Sequence, residues 1–213
     1  PSDQRAEWLE SLVDSGWAAP SWPREWFGRG LSADEARSTD AVFRSVKFPV
    51  DVGPSGQKAD SVFGGDDVQG WGQDVVNLWA ATVASHAGDD LKREVLRDLL
   101  LGRTAMCLLY SEPGAGSDLA GVRTTAVRDG DEWIINGTKT YITNGPEAHV
   151  FLVYAKTGDK LSAFLIDRDC PGFSSSAHIP KMGMRGSSMS ELIMDDCRVP
   201  ATNLLGEEGG GLT

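Results

Sequence analysis

The residue types best suited to holding a ligand lie in one short segment, residues 111–118, which reads Ser-Glu-Pro-Gly-Ala-Gly-Ser-Asp. Its glycines, Gly114 and Gly116, allow a close approach of the backbone to a ligand, and successive N–H groups can point into one concavity that accepts anionic oxygens. Ser117 adds a hydroxyl donor. Because the segment offers mainly donors, it suits a diphosphate better than a metal ion. Taken alone, the pattern is more typical of a β-rich turn that needs glycine.

Two other phosphate-binding patterns do not fit this segment. A Rossmann fingerprint needs a preceding strand, a following helix and a third glycine three residues on, whereas residues 118–121 lead into strand-like sequence. A P-loop needs a Gly-Lys-Ser/Thr sequence, which does not follow here.

A second segment, residues 141–145, reads Tyr-Ile-Thr-Asn-Gly. It places an aromatic ring and a hydroxyl two residues apart, and therefore on the same face of a strand. A planar tricyclic ring could pack against Tyr141 while Thr143 donates to a ring nitrogen. Taken alone, the segment is more typical of a half-buried strand that ends in an Asn-Gly turn.

The chain before about residue 105 predicts helices. Apolar residues at 8–13 recur on one face of a helix that ends near Gly16. The clearest helix begins at Asp89 or Asp90 and stops at Gly102.

The sequence between these two helices is less regular. Residues 20–30 contain prolines and glycines that predict a loop, and Ser32 with Glu35 predicts a capping box for the next helix. Helical patterning returns at residues 74–84, whereas residues 47–72 give no assignment.

Beyond residue 105 the apolar pattern changes to short β-type runs. Asn136-Gly137 lies between two of these runs and is a strong signal for a hairpin. Helices first and antiparallel strands second predict an α domain packed on a β domain rather than an alternating α/β fold. The predicted strands are residues 123–128, 133–136, 138–142, 150–155, 162–167, 174–179 and 190–198.

Composition and charge exclude several classes of protein. The net charge of -11 opposes binding to nucleic acid, and it means that a CoA site would need local cations and backbone donors. The 3 cysteines and 3 histidines are widely spaced, which predicts neither a disulfide framework nor a metal site and fits a reducing compartment. The longest apolar runs are strand-sized and the first residues lack an export signal, so we expect a cytoplasmic protein with no membrane span.

Taken in order, the two segments resemble signatures of the acyl-CoA dehydrogenase family. Residues 111–118 match its (Thr/Ser)-Glu-Pro-x-x-Gly-Ser-Asp pattern, and residues 136–144 match Asn-Gly-x-Lys-x-(Trp/Tyr)-Ile-(Ser/Thr)-Asn. Residues 181–188, 195–200 and 203–209 are similar to the family's later segments. The resemblance covers most of residues 74–213, and the Trp-rich stretch at 17–26 is similar to bacterial members that act on steroid side chains.

The resemblance implies a multi-domain α and β fold. An N-terminal α-helical domain at residues 1–106 is followed by an antiparallel, β-barrel-like middle domain at residues 107–203, which binds the flavin. Residues 204–213 correspond to the start of a C-terminal helical bundle domain that is otherwise absent from the sequence.

The resemblance also implies a cofactor, FAD, and the residues that hold it. Ser111 would line the flavin together with its preceding neighbours, and Gly116 and Ser117 would hold the diphosphate. Tyr141, where the family often has Trp, would cover the flavin ring, and Thr143 would donate to its reactive nitrogen. The neighbours of Ser111 are Leu108, Leu109 and Tyr110.

The implied reaction converts an acyl-CoA thioester to a 2-enoyl-CoA and passes electrons to an electron-transfer flavoprotein. The family's catalytic base is a glutamate of the C-terminal domain, so we assign no catalytic residue within this chain and do not promote Glu112, Asp118 or Glu191 to that role. Either a missing domain or a partner subunit supplies the base, in a homo- or hetero-oligomer. A non-catalytic partner subunit and a related flavin oxidase or monooxygenase remain alternatives.

Overall fold

The computed structural model describes residues 2–45 and 78–212. Their backbone contacts divide the chain into two units, residues 1–85 with 92–103 and residues 86–91 with 104–213. The region from 47 to 72 and the first part of the helix predicted at 74–84 lie outside the described residues. The four α-helices of the described residues are α1 (Ser2–Asp14), α2 (Ala33–Ser45), α3 (Ala80–His86) and α4 (Asp89–Leu100).

The end of α1, the start of α2 and both ends of α4 lie where the sequence predicts. Gly16 follows α1 with a φ of 81°, and Gly102 follows α4 with a φ of 67°, a left-handed conformation that glycine adopts without steric cost. At the start of α2, the Ser32 amide donates to Glu35 Oε2 at 2.9 Å, and the Glu35 amide donates to Ser32 Oγ at 3.4 Å. This reciprocal pair is the predicted capping box.

Two aromatic and ionic contacts hold the first unit together. The loop predicted at residues 20–30 contains one 3-10 turn, Arg24–Trp26, and the buried ring of Trp26 lies under the Lys92 amine at 5.1 Å. On α4, Arg97 donates two hydrogen bonds of 2.9 Å to the carboxylate of Asp14. Because both partners of this ion pair are partly exposed, water screens their attraction and the pair adds little to stability.

The second unit is built on one eight-stranded sheet, in the order β6-β7-β3-β2-β4-β5-β8 with β1 paired to β4. The chain is therefore a mixed α and β protein, as predicted. The strands are β1 (Met106–Leu109), β2 (Thr125–Asp129), β3 (Glu132–Thr143), β4 (Val150–Thr157), β5 (Lys160–Asp167), β6 (Phe173–Ser175), β7 (Met189–Pro200) and β8 (Leu204–Leu205).

The expectation of a purely antiparallel sheet is wrong. β1 pairs with β4 in parallel along its whole length, from Met106 opposite Val150 to Leu109 opposite Val153. β2 also meets β4 in parallel, at Thr125 and Lys156. The β-type pattern shows which residues are extended but carries no sign of strand direction, so parallel pairs between distant segments escape it. The barrel-like closure of the sheet and the domain boundaries at 106 and 203 stay predictions.

The hairpin predicted at Asn136-Gly137 is also wrong. β3 runs unbroken through both residues, with a bulge against β7 between Ile135 and Gly137. The glycine is required by a close approach, because a Cβ built on Gly137 would lie 2.3 Å from Thr124 Oγ1. The hairpin instead joins β2 to β3, where Asp129 pairs with Glu132 around Gly130, whose φ is 60°.

The core of the sheet is aromatic and aliphatic, and it fixes the strands that flank the candidate site. Trp133 on β3 meets Phe164 on β5 edge-on, with ring centroids 5.3 Å apart. β4 and β5 are buried along almost their whole length, which explains why both read as continuous apolar runs. In the described part of the chain, no helix is both long and apolar enough to cross a bilayer.

Candidate functional site

The segment that follows β1 is anchored by a pair of tyrosines. Tyr110, half-buried, stacks on the buried Tyr154 of β4 with ring centroids 4.1 Å apart and an interplanar angle of 18°. Their hydroxyl groups are joined by a hydrogen bond of 2.8 Å. Burial, and then this hydrogen bond, raise the pKa of Tyr154 well above its ordinary value. Leu108 is half-buried in β1, whereas Leu109 beside it is fully buried.

A buried ion pair links this segment to β3. Lys139 Nζ donates to Glu112 Oε1 at 2.9 Å, and the side chain of Lys139 is 0% exposed. The same amine donates to the carbonyls of Tyr154 at 2.7 Å and Tyr110 at 3.3 Å. The three N–H donors of the lysine therefore have three acceptors.

The carboxylate of Glu112 is equally well satisfied. Its Oε2 accepts from the Arg123 amide at 2.7 Å, and its Oε1 accepts from the Thr124 amide at 3.0 Å and the Thr124 hydroxyl at 2.5 Å. Burial alone would raise the pKa of Glu112, but the hydrogen bonds from Thr124, Arg123 and Lys139 outweigh it and hold this pKa below its usual range. The side chain thus joins separate segments of the chain and does more than fix its own turn.

The glycine-containing turn presents free donors. Glu112 and Ala115 exchange backbone hydrogen bonds of 2.8 and 3.1 Å, which close the turn. Gly116 and Ser117 follow it and are exposed. Within the described residues, neither the Gly116 nor the Ser117 amide has an acceptor, so both are available to an anionic ligand. The side chain of Asp118 accepts from the Ala120 amide at 3.1 Å, which confirms the predicted local cap.

The end of β3 has an unusual backbone. Tyr141 is 66% exposed and has a φ of 57°, inside a bulge against β7. A left-handed conformation is uncommon for an aromatic residue and costs about 1–2 kcal/mol. Thr143 is also exposed, with the buried Ile142 between the two. The carbonyl of Thr143 accepts a hydrogen bond from the thiol of Cys107 on β1 at 3.0 Å.

These contacts bring the two predicted segments together. The Thr140 amide donates to the Ser111 carbonyl at 2.9 Å, directly beside Tyr141. Together with the contacts of Lys139 to Tyr110 and Glu112 and the Cys107–Thr143 contact, it joins residues 107–112 to residues 139–143 by four hydrogen bonds. Leu108, Tyr110, Ser111, Tyr141 and Thr143 therefore belong to one neighbourhood, and Gly116 and Ser117 are tied to it through Glu112.

Several residues contribute to this neighbourhood without a local sequence signal. Lys139, Tyr154 and Cys107 lie in β-type runs, where an apolar pattern predicts only burial. The hydroxyl of Ser188 is buried and lacks a partner among the described residues; it precedes Met189, which pairs with Thr143. Of these residues, Lys139 lies within the Asn-Gly-x-Lys pattern, which gives no sign of its burial or of its partner.

The remaining polar residues singled out from the sequence make hydrogen bonds to the backbone. Arg185 is exposed and donates to the Lys181 carbonyl at 3.1 Å. His149 accepts from the Ala105 amide at 3.0 Å, and His178 accepts from the Met189 amide at 3.2 Å. In the two described ranges, no group of three or more His, Cys, Asp or Glu side chains is arranged to hold a metal ion.

Comparisons with curated proteins point to one family. Residues 107–197 match the model for the acyl-CoA dehydrogenase middle domain. Cyclohexane-1-carbonyl-CoA dehydrogenase of Geobacter metallireducens is 48% identical over 131 residues, which cover 59% of this chain and 34% of that protein. The mitochondrial isovaleryl-CoA dehydrogenase of Pongo abelii is 41% identical over 143 residues, which cover 64% of this chain and 34% of that protein. The matched segment thus spans about a third of these relatives.

Solved structures can be superposed on this chain over nearly its whole length. An acyl-CoA dehydrogenase from Geobacillus kaustophilus is 31% identical with a TM-score of 0.69, covering 97% of this chain and 51% of that one. A glutaryl-CoA dehydrogenase from Mycobacterium smegmatis in complex with FADH2 is 30% identical with a TM-score of 0.67, covering 97% and 48%.

A third structure, the ChsE4-ChsE5 complex from Mycobacterium tuberculosis, is 31% identical with a TM-score of 0.66, covering 96% of this chain and 49% of that one. The chain therefore spans about half the length of the solved structures that it matches. Over residues 107–197, the chain is similar to the middle domain of the acyl-CoA dehydrogenase family.

Proposed function

We propose that this chain is the flavin-holding part of an FAD-dependent acyl-CoA dehydrogenase. The observation that carries the proposal is the junction of residues 107–112 with the end of β3. There an exposed aromatic ring, an exposed hydroxyl and two unpaired backbone amides are tied to one rigid sheet. The match to the family's middle domain over the same residues supports the proposal independently.

The residues present fit FAD. A diphosphate needs several donors and no opposing carboxylate, and the free amides of Gly116 and Ser117 with the Ser117 hydroxyl meet the first need. Of the two neighbouring carboxylates, Glu112 is buried and paired with Lys139, and Asp118 accepts a hydrogen bond from the Ala120 amide. The strained and exposed conformation of Tyr141 is a cost that a covering role for the ring would explain.

Each residue then has a defined task. FAD, when bound, supplies an acceptor for the hydride that leaves the β-carbon of the thioester. Gly116 and Ser117 hold the diphosphate, and Leu108, Tyr110 and Ser111 line the flavin. Tyr141 covers the ring against water. Thr143 donates a hydrogen bond at the reactive ring nitrogen, and a fixed donor at a position of developing negative charge stabilises the transition state.

The proposal places the general base outside residues 1–213. The relatives are longer than the matched segment, so a glutamate from a C-terminal helical domain or from a partner subunit would remove the α-proton. In this scheme residues 1–106 form the N-terminal domain, residues 107–203 the barrel-like middle domain and residues 204–213 the entry to the C-terminal domain. A 2-enoyl-CoA is the product.

The proposed partners follow from the same scheme. Acyl-CoA is the substrate and an electron-transfer flavoprotein is the electron acceptor. The likeness to the ChsE4-ChsE5 complex supports assembly into an oligomer, with either identical or unlike subunits.

Flavin binding provides the direct test. The purified chain should quench FAD fluorescence on titration and show a bound-flavin absorbance spectrum. Ser117→Ala and Thr143→Ala should each weaken FAD binding by about 3–10-fold, since one hydrogen bond contributes roughly 0.5–1.5 kcal/mol. Ser174→Ala, which removes an exposed hydroxyl from β6, serves as the matched control and should bind as the parent does. Absence of FAD binding by the parent chain would refute the proposal.

A further inference from the structure

We infer that Lys139, acting through its buried ion pair with Glu112, is the positioning residue that sets the flavin-lining segment against the end of β3. This inference rests on the proposed function and assigns to the ion pair a role in cofactor geometry. Lys139 touches neither the proposed substrate nor the proposed cofactor, and it acts through Tyr110 and Ser111.

The saturation of both charged groups excludes a direct chemical role. Lys139 Nζ has three acceptors within 2.7–3.3 Å, and the Glu112 carboxylate accepts four hydrogen bonds. No proton of the amine and no carboxylate oxygen is left for a reacting group. A buried lysine whose three N–H donors all have acceptors serves to hold the neighbouring segments in fixed positions.

The hydrogen bonds of the Lys139 amine lie at the candidate site. From one amine, contacts reach Tyr110 after β1, Glu112 in the turn and Tyr154 in β4. The next residue along β3, Thr140, donates to the Ser111 carbonyl. The positions of Tyr110 and Ser111 are therefore set relative to Tyr141, which follows on the same strand.

The same ion pair also fixes the turn at residues 112–115, which directly precedes the proposed diphosphate-binding residues Gly116 and Ser117. Glu112 carries the Lys139 contact at one end and begins the closed turn that ends at Ala115, directly before Gly116. The same carboxylate binds the Arg123 and Thr124 amides, so the turn is fixed to the chain entering β2. The buried cluster of Lys139, Glu112 and Thr124 thus fixes the distance between the residues proposed to line the flavin ring and those proposed to bind the diphosphate.

Positioning and stability can be separated by experiment. Removing one partner leaves an uncompensated buried charge and strongly destabilises the fold, whereas removing both charges together avoids that penalty. The informative variant is therefore the double substitution Glu112→Gln with Lys139→Met. It removes the charge pair and the lysine's contacts to the Tyr110 and Tyr154 carbonyls.

The test compares the parent chain, the double variant and Arg198→Met, which removes an exposed ion pair with Asp129 and Glu132. FAD affinity is measured by fluorescence quenching, and hydrogen exchange of the Thr140 amide is measured without FAD. The double variant should retain the cooperative unfolding of the parent. It should bind FAD about 10–100-fold more weakly, by analogy with the loss of metal affinity when the groups that orient metal ligands are removed. Its Thr140 amide should exchange at least severalfold faster, and Arg198→Met should match the parent in both readouts.

If the double variant does not fold, the single substitution Thr124→Val tests the same positioning role. It deletes one hydrogen bond to Glu112 and leaves the ion pair in place, so it should weaken FAD binding and speed Thr140 exchange in the same direction but to a smaller extent. If the parent binds FAD while the folded variants bind it within twofold and show unchanged Thr140 exchange, the positioning role is overturned and the proposed function stands. If the parent itself does not bind FAD, both fail.

Discussion

Replacing Tyr141 with asparagine should separate ligand affinity from fold stability. The tyrosine is 66% exposed and has a φ of 57°, so the free chain gains little from burying its ring and pays for its backbone conformation. Asparagine tolerates the left-handed region better than other non-glycine residues. Tyr141→Asn therefore removes the ring while it relieves the backbone.

Both effects have a predictable size. A left-handed tyrosine costs about 1–2 kcal/mol, and asparagine recovers part of that, so the free energy of unfolding without FAD should stay equal or rise by up to about 1 kcal/mol. Stacking of an aromatic side chain on a planar heterocycle is worth roughly 1–3 kcal/mol. Loss of the ring should then raise the Kd for FAD by about 5–150-fold.

Two measurements on the same samples decide the outcome. Urea unfolding without FAD gives the stability, and fluorescence titration gives the Kd. Tyr141→Trp is the matched control, because it keeps a flat aromatic ring and should bind FAD within about threefold of the parent, a difference under 1 kcal/mol. A Tyr141→Asn chain that loses stability yet binds FAD as tightly as the parent would show that the ring packs on the protein and not on the cofactor.

Three further predictions concern the sheet and its buried groups. Gly137→Ala should lower the free energy of unfolding by about 2–3 kcal/mol in urea titrations, because the new methyl group would overlap Thr124, whereas Gly88→Ala, in open space, should change it by less than about 0.5 kcal/mol. The folded-state pKa of Glu112 lies below the ordinary value of 4.5. Its contribution to the free energy of unfolding is therefore present above that pH and is lost as the pH falls. Glu112→Gln should flatten the dependence of the free energy of unfolding on pH between about pH 5 and pH 3. Burial raises the pKa of Cys107 to about 12, so iodoacetamide at pH 8 should leave this thiol unmodified in the folded chain and alkylate it in urea.

Local signals in the sequence predicted α4, the start of α2 and the strands β4 and β5 well. The leucine spacing of α4 and its stop at Gly102 need no distant partner, and neither does the reciprocal pair of Ser32 and Glu35. The apolar runs of β4 and β5 predicted strands because both faces of these strands are buried. In each case the determining contacts lie within one element or follow directly from burial.

The features that failed depend on residues far apart in the sequence. The sequence predicts a turn at Gly137 because the close approach of Thr124 cannot be seen in it, and it gives no sign that Lys139 pairs with Glu112. The parallel pairing of β1 is likewise decided by β4, which comes after two intervening strands. The type of a residue shows which conformations it can adopt. The distant neighbour that requires a glycine or a buried charge at that position is seen only in the tertiary structure.

The parallel pairing of β1 with β4 also has a kinetic consequence. The β2–β3 hairpin closes between Asp129 and Glu132, whereas Met106 must find Val150 across a long loop, and long-range pairings form more slowly because the loop entropy is lost first. During refolding, competence to bind FAD should therefore lag behind the far-UV circular dichroism signal of the sheet. Since the free edge of β4 stays open until β1 docks, the interval before docking is when this chain is most exposed to aggregation.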